Sequence, residues 1–338
     1  MILSNTQWAI VPDFLTQVSA QQQKCAQGIL QAGPGLSLQP ATDLAYQIAG
    51  GVAVIHASGI TMKHPSLLLA LLGGTSTRAL EGAVSRAAAD PAVKAVVMVI
   101  DSPGGTVDGT ETLAQAIRAA DSVKPVYALA SGTMASAAYW YGSAARAVFA
   151  TESTTLVGSI GVVATHTDAS KRYEQAGVKV SEIVAGRYKR ISSQHGPLTA
   201  DGNATLQAQV DYTYGLFLAA VAQHRGATVQ RVLSDMADGR TFIGEQAQKA
   251  GLIDGIKRFD QLLAEVSGGA LNVPRKAYGS APAPRKAMTR AEIDVEAKQM
   301  VSSGQAASYL EAVKVLVALE SAWKRPHAAR HGTPVTTR

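Results

Sequence analysis

Two short runs constrain the fold most: Ala95 to Ile100 (AVVMVI) and Pro125 to Ala130 (PVYALA), each uncharged, almost wholly apolar and followed by a turn sequence. The first breaks at Pro103-Gly104-Gly105 and the second at Ser131-Gly132. A strand that reads as one apolar run, without alternation, is buried on both faces, which is the condition of central strands in a parallel sheet. Helical segments separate such runs. Arg78 to Ala89 is one, and around Thr110 to Ala120 the residues Leu113, Ala116, Ile117 and Ala120 recur at helical spacing. The β-α-β rhythm predicts an α/β fold with a parallel sheet. Ligands of such a sheet sit beyond the carboxyl ends of its strands, so the loops after Ile100 and Ala130 should face one crevice.

The same reading places further elements. Val52 to Ile55 is a strand, followed by a loop from Ala57 to Thr75 that carries the exposed-looking run Leu67 to Leu72. A helix starts near Ser136, a strand covers Ala147 to Ala150, and Gly158 to Ala164 is extended. Asp168 reads as the N-cap of a helix closed by Gly177, with Val178 to Val184 as the next strand. Asn203 to Arg225 is a long helix with Leu206, Val210, Leu216, Phe217 and Val221 toward the core, and Val229 to Met236 a shorter one. Gly239 to Ile256 reads as a turn, a helix and a short strand.

Four regions result. Residues 1–48 form an N-terminal segment whose Gln-rich stretch, Gln17 to Gln27, suits a helix but whose role is not legible. Residues 49–267 form the α/β domain, residues 268–288 a Gly, Ala and Pro-rich linker, and residues 289–338 a basic helical tail. Within Arg290 to Trp323, Tyr309, Val313, Leu316 and Leu319 have heptad-like spacing suited to pairing with another helix.

Charge is concentrated. Residues 271–338 hold eleven Lys or Arg against five Asp or Glu, while the first 270 residues are balanced at twenty of each. Such a tail can touch nucleic acid or an acidic protein surface, or simply be solvated. The single cysteine, Cys25, cannot form an internal disulfide. The opening MILSNTQWAIVPDFL lacks the basic and continuous apolar stretches of a secretion signal. Pro125 to Ala145 is uncharged, but its Ser, Thr, Gly and Pro suit a buried site better than lipid. A cytoplasmic protein with no membrane anchor is expected.

The two loops also carry candidate chemistry. A serine hydroxyl attacks only as it gives its proton to a neighbouring base. Ser136, between Ala135 and Ala137-Ala138, leaves room for a peptide backbone to approach; alone, it reads more readily as a helix cap than as a nucleophile. Gly104 and Gly105 strengthen the catalytic reading, because an oxyanion hole needs backbone N–H groups that no Cβ obstructs. The amides of Gly105 and Ala137, with Gly104 beside them, are the candidate donors.

Taken in order, DSPGG at 101–105, GTMASAAY at 132–139, TLVGSIGV at 155–162 and GRYKR at 186–190 resemble the signal peptide peptidase A family, including its phage capsid-maturation (prohead) proteases. The resemblance spans roughly Val52 to Ile256. It implies a Clp protease/crotonase-like fold and a Ser–Lys dyad, with Ser136 as nucleophile, Lys189 as general base and Ser159 as the hydroxyl that orients the lysine amine. An amine accepts a proton only when neutral, which burial and the lack of a carboxylate partner favour. No acid lies between Glu182 and Asp201, while Arg187 and Arg190 would disfavour a second positive charge close by.

A rival arrangement is the Ser–His–Asp triad of the Clp proteases, with His166 and Asp168, although a capping or surface role for that pair is more economical. The other histidines show no metal-ligand spacing and no nucleotide fingerprint appears, so neither metal nor cofactor is expected. The expected function is a serine endopeptidase working through an acyl-enzyme: a phage or prophage capsid maturation protease that cleaves scaffold or portal-associated protein. The resemblance further implies a homo-oligomer with phage portal, scaffold or capsid proteins as partners, in the host cytoplasm or the assembling prohead. The alternatives are a bacterial peptidase that degrades signal peptides, a non-catalytic capsid scaffold protein, and a crotonase-type acyl-CoA enzyme.

Overall fold

The computed structural model describes residues 7–11 and 44–274, with single positions at 20, 295, 298 and 302. The chain divides into a unit from Met1 to Tyr278 and a second from Gly279 to Arg338, and the fold described belongs to the first. Along the chain run β1 (Trp8–Ile10), β2 (Gln47–Ala49), β3 (Val52–Ser58), β4 (Thr61–Met62), α1 (Leu67–Leu71), β5 (Thr75–Ser76), α2 (Thr77–Ala89), β6 (Ala95–Ser102) and β7 (Gly104–Thr106). Then come α3 (Thr110–Val123), β8 (Val126–Ala135), α4 (Ala137–Gly142), β9 (Ala147–Ala150), β10 (Leu156–Gly158), α5 (Ser170–Gln175) and α6 (Ala200–Arg225). Last are α7 (Val229–Arg231), which continues as a π turn to Met236, β11 (Thr241–Ile243), α8 (Gly244–Ala250), β12 (Gly255–Ile256) and α9 (Phe259–Ser267).

The main sheet has the order β11-β10-β8-β6-β3-β2, with β9 and β12 attached beside β8. Its centre is parallel: β3 with β6, β6 with β8, and β8 with both β9 and β10. Both faces of its central strands are covered, as their unbroken apolar runs require. Val96, Met98 and Ile100 of β6 belong to one core cluster with Val126, Ala128 and Ala130 of β8, under Leu80 and Val84 of α2 and Leu113 and Ile117 of α3. Val97, Val99, Tyr127 and Leu129 belong to the opposite cluster, with Leu262 of α9. Full burial of one such aliphatic side chain contributes about 2 kcal/mol. A smaller sheet, β1-β7-β4-β5, stands beside the first.

A buried ion pair joins α3 to the crossover before β9. Asp121 Oδ1 accepts from Arg146 Nε at 2.9 Å and from Val126 N at 3.0 Å, and Arg146 Nη2 donates to the Asp121 carbonyl at 3.1 Å. The Asp121 side chain is fully buried. Asp121→Ala would strand a guanidinium and the first amide of β8, so unfolding free energy in a urea melt should fall by about 4 kcal/mol.

Several expectations are corrected. Val178 to Val184 is not a strand: the segment is irregular and Ile183 is fully exposed, since no neighbouring edge pairs with it. Leu67 to Leu72 is no loop but a short helix capped by Ser66 Oγ, with Leu69 buried and Leu67 half-exposed. The second apolar run does not stop at Ala130: β8 continues to Ala135, because its later residues exchange β9 for β10 as a partner. Asp168 is not the N-cap of α5; Ala169 holds that position, and Asp168 Oδ1 accepts from Ser170 N at 2.9 Å one residue earlier. Residues 1–48 contribute β1 and the first two residues of β2. Gln17 to Gln27 (Ala20 apart), Cys25, the linker beyond residue 274 and the proposed helix from Arg290 to Trp323 lie outside the described residues, three single positions excepted. Among the described residues no helix is long and apolar enough to cross a membrane.

Candidate active site

β8 delivers Ser136 into the turn before α4. Gly132 lets that strand pass Asp101, whose Oδ1 accepts from Thr133 N at 2.9 Å; a Cβ on Gly132 would sit 2.7 Å from the same oxygen. Ser136 itself has φ 56° and ψ −121°, a conformation that costs a non-glycine residue about 1–3 kcal/mol. Tertiary bonds enforce it: Ser136 N donates to the Gly158 carbonyl at 2.7 Å, and Trp140 N to the Ser136 carbonyl at 2.9 Å. Every residue of α4 is buried. Trp140 stacks on Phe217 of α6 with centroids 4.5 Å apart, and the Tyr139 hydroxyl donates to the Leu252 carbonyl at 2.8 Å. Burial pushes that phenol above its ordinary range.

The reading of Ser136 as a mere helix cap fails. It occupies the N-cap position of α4 but makes no capping hydrogen bond, and its buried Oγ has no partner among the described residues. A hydroxyl kept out of water without a bond costs about 1–3 kcal/mol, so strain and desolvation meet at one residue.

The glycine pair lies directly alongside. Gly104 has φ 105°; a Cβ there would run into the Ala9 carbonyl and lie 2.9 Å from the Ser136 Cβ. Its N–H donates to Ser102 Oγ at 3.2 Å, which corrects its expected part as an oxyanion donor: Gly104 serves through its missing side chain. Gly105 abuts Thr61 so closely that a Cβ would overlap the Thr61 carbonyl. Gly105→Ala would force β7 off β4, and thermal melts should register a loss of about 3 kcal/mol.

The Gly105 amide is not idle. β1 pairs antiparallel with β7, with Ala9 opposite Gly105. Val107 N donates to the Gln7 carbonyl and Val11 N to the Pro103 carbonyl, which fixes the phase of the ladder. Ala9 and Gly105 are therefore a hydrogen-bonded pair, with Gly105 N–H donating to the Ala9 carbonyl. Ala137, as the first residue of α4, has an N–H with no acceptor inside its own helix.

Ser159 follows β10 at φ 52°, buried, and donates its N–H to the Arg240 carbonyl at 2.7 Å. Since Gly158 accepts from Ser136 N, the two serine turns are adjacent. Lys189 is not brought to them. It is exposed in the turn from Gly186 to Arg190, with no carboxylate in ion-pair range among the described residues, and its amine makes no bond to Ser136 Oγ. Its neighbours Arg187 and Arg190 are paired instead with Asp201 at 2.7 Å and Glu182 at 3.1 Å. A cavity of about 630 Å³ opens beside this turn, lined by Gln7, Tyr188, Asp201, Gln209 and Thr213 among others. The rival triad is not assembled. His166 Nε2 lies 3.2 Å from the Gly196 carbonyl, and the Ser170 hydroxyl and amide hold the Asp168 carboxyl below the usual carboxylate range.

Residues 118–273 match peptidase family S49. Over that stretch, a little under half of its length, the chain is similar to this family. Among curated relatives, capsid assembly protease C of Escherichia phage lambda is 32% identical over 209 residues, 62% of this chain and 47% of that protein. The head-tail preconnector protein of Enterobacteria phage P21 is 31% identical over 209 residues, 62% of this chain and 41% of that protein. Protease 4 of Salmonella typhi is 30% identical over 219 residues, 64% of this chain and 34% of that protein. The chain thus spans less than half the length of each of these three. Ser136, Ser159 and Lys189 all fall inside the S49 match, whereas Gly104 and Gly105 precede it. The residue that sequence reasoning missed is Ala9: a three-residue strand is too short to reveal a period, and its partner is about a hundred residues away.

Proposed function

We propose that this chain is a serine endopeptidase of the Ser–Lys type that works through an acyl-enzyme and acts on protein components of a phage capsid during assembly. One observation carries the chemistry: a strained, buried serine whose Oγ has no partner stands beside a glycine pair, one amide of which already holds a peptide carbonyl. Ser136 Oγ attacks the carbonyl carbon held by the N–H groups of Gly105 and Ala137, each such donor being worth about 3 kcal/mol. Lys189 takes the hydroxyl proton and returns it to the leaving amine, and water then releases the acyl group by the reverse path. Ser159 orients the amine.

For this, Lys189 must reach the serine, through movement of its turn or from a second copy of the chain. Ile183, Val184 and Tyr188 support the second copy, because these exposed apolar side chains share the lysine's loop and are what a neighbouring subunit would cover. The capsid assignment rests on the lambda and P21 relatives; the host cytoplasm or the prohead follows from it, as do portal, scaffold or capsid partners.

A fluorophosphonate probe tests the nucleophile. Labelling of the full chain that disappears in Ser136→Ala is the expected result; no labelling at any exposure time would leave a scaffold without catalysis. Co-expression with the scaffold protein of the same phage should then yield Ser136-dependent fragments, and an intact scaffold would remove the capsid assignment alone.

A further inference from the structure

β1 is held on both edges. On one side it forms the ladder with β7, and on the other Trp8 N and the Val163 carbonyl, and Val163 N and the Trp8 carbonyl, exchange bonds of 2.9 Å. Its side chains alternate. Trp8 and Ile10 pack with Ile60 and Leu69, while Ala9 belongs to the main core together with Ala137 and Ala138. All three residues are buried, and Gln7 just before them accepts from Thr213 Oγ1 of α6 at 2.5 Å. The Ala9 carbonyl oxygen and the Ser136 Cβ both stand within 2.9 Å of the place a Cβ on Gly104 would take, and Ser136 is only 1% exposed.

An extended segment paired through its backbone to two flanking strands, with one carbonyl on Gly105 N–H beside Ser136, occupies the place of a peptide awaiting attack. We propose that Trp8–Ile10 is an internal occupant of the peptide groove, with the Ala9–Ile10 bond in the position of the bond to be cleaved. The inference rests on the peptidase reading above and adds the resting state of that site: substrate must displace β1. It also names a preference. Recognition is by backbone pairing, and the position whose carbonyl is attacked accepts a small side chain, because Ala9 is fully enclosed. In this state the apparent affinity for any substrate is reduced by the fraction of molecules whose groove is open.

The test uses the full chain with Trp8→Ala, which removes the largest anchor of β1, and reads the rate at which a fluorophosphonate labels Ser136. A rise of about tenfold over wild type is expected. Circular dichroism checks folding; should Trp8→Ala not fold, Ala9→Pro keeps both buried anchors but removes the Ala9 N–H that pairs with the Gly105 carbonyl, and gives the same reading. A peptide of sequence NTQWAIVPD should slow labelling of the variant, whereas the same peptide with Trp in place of its Ala should not. Equal labelling rates in wild type and folded variants, with Ser136 labelled in each, overturn the occupancy and leave the peptidase reading intact. Absence of label on Ser136 in wild type and variants alike overturns both.

Discussion

Ser136→Ala should lower peptide hydrolysis by about 10⁶-fold without unfolding the protein, as loss of a nucleophile does in serine peptidases. The separation of activity from stability follows from the bonds at this residue. Its Oγ has no partner to lose, and its backbone bonds to Gly158 and Trp140 do not involve the side chain. Removing a buried hydroxyl that makes no hydrogen bond is neutral or mildly stabilising. Ser136→Gly sharpens the point: it relieves the positive φ and should raise the unfolding free energy by about 1 kcal/mol while abolishing hydrolysis equally. Calorimetry beside a peptide-cleavage assay checks both. A residue kept only for packing would show the reverse, a stability loss with activity retained.

Lys189→Ala should cost about 10³-fold in kcat, the scale of a general base, while the melting temperature stays within a degree or two because the side chain is exposed. Lys189→Arg should be no better, since a guanidinium does not give up its proton at working pH. His166→Ala is the control and should leave kcat within about twofold, because its imidazole is engaged with the Gly196 carbonyl away from any acid-base pair with Ser136. Loss of cleavage in His166→Ala with Lys189→Ala active would sink the Ser–Lys assignment. Mixing the Ser136→Ala and Lys189→Ala proteins tests the origin of the lysine: recovery of cleavage means that one copy supplies the base to another, and no recovery means that it comes from the same chain.

Much of the fold was legible because its signals are local. Ala147 to Ala150 is a strand as read, Thr77–Ala89 and Thr110–Val123 are helices within a few residues of their expected ends, and Leu113, Ile117, Phe217 and Val221 are buried. These rest on apolar runs and helical periods, which neighbouring residues determine among themselves. Val178 to Val184 failed for the same reason seen from the other side. Its residues have strand propensity, yet a strand exists only where an edge is offered, and none is.

The catalytic-looking residues divide likewise. From sequence alone came the order of the motifs, the small residues around Ser136 and the glycine pair, since each is a matter of which side chain is absent or present. Tertiary structure alone decided that Ser136 is strained and unbonded, that the Gly104 amide is spent on Ser102 while the Gly105 amide holds a carbonyl, and that Lys189 stands apart on an exposed turn. It alone brought Ala9 to Gly105 across about a hundred residues of chain. The physical reason is that backbone hydrogen bonds carry no side-chain signature: any extended segment can pair with β7, and only the folded chain shows which one does.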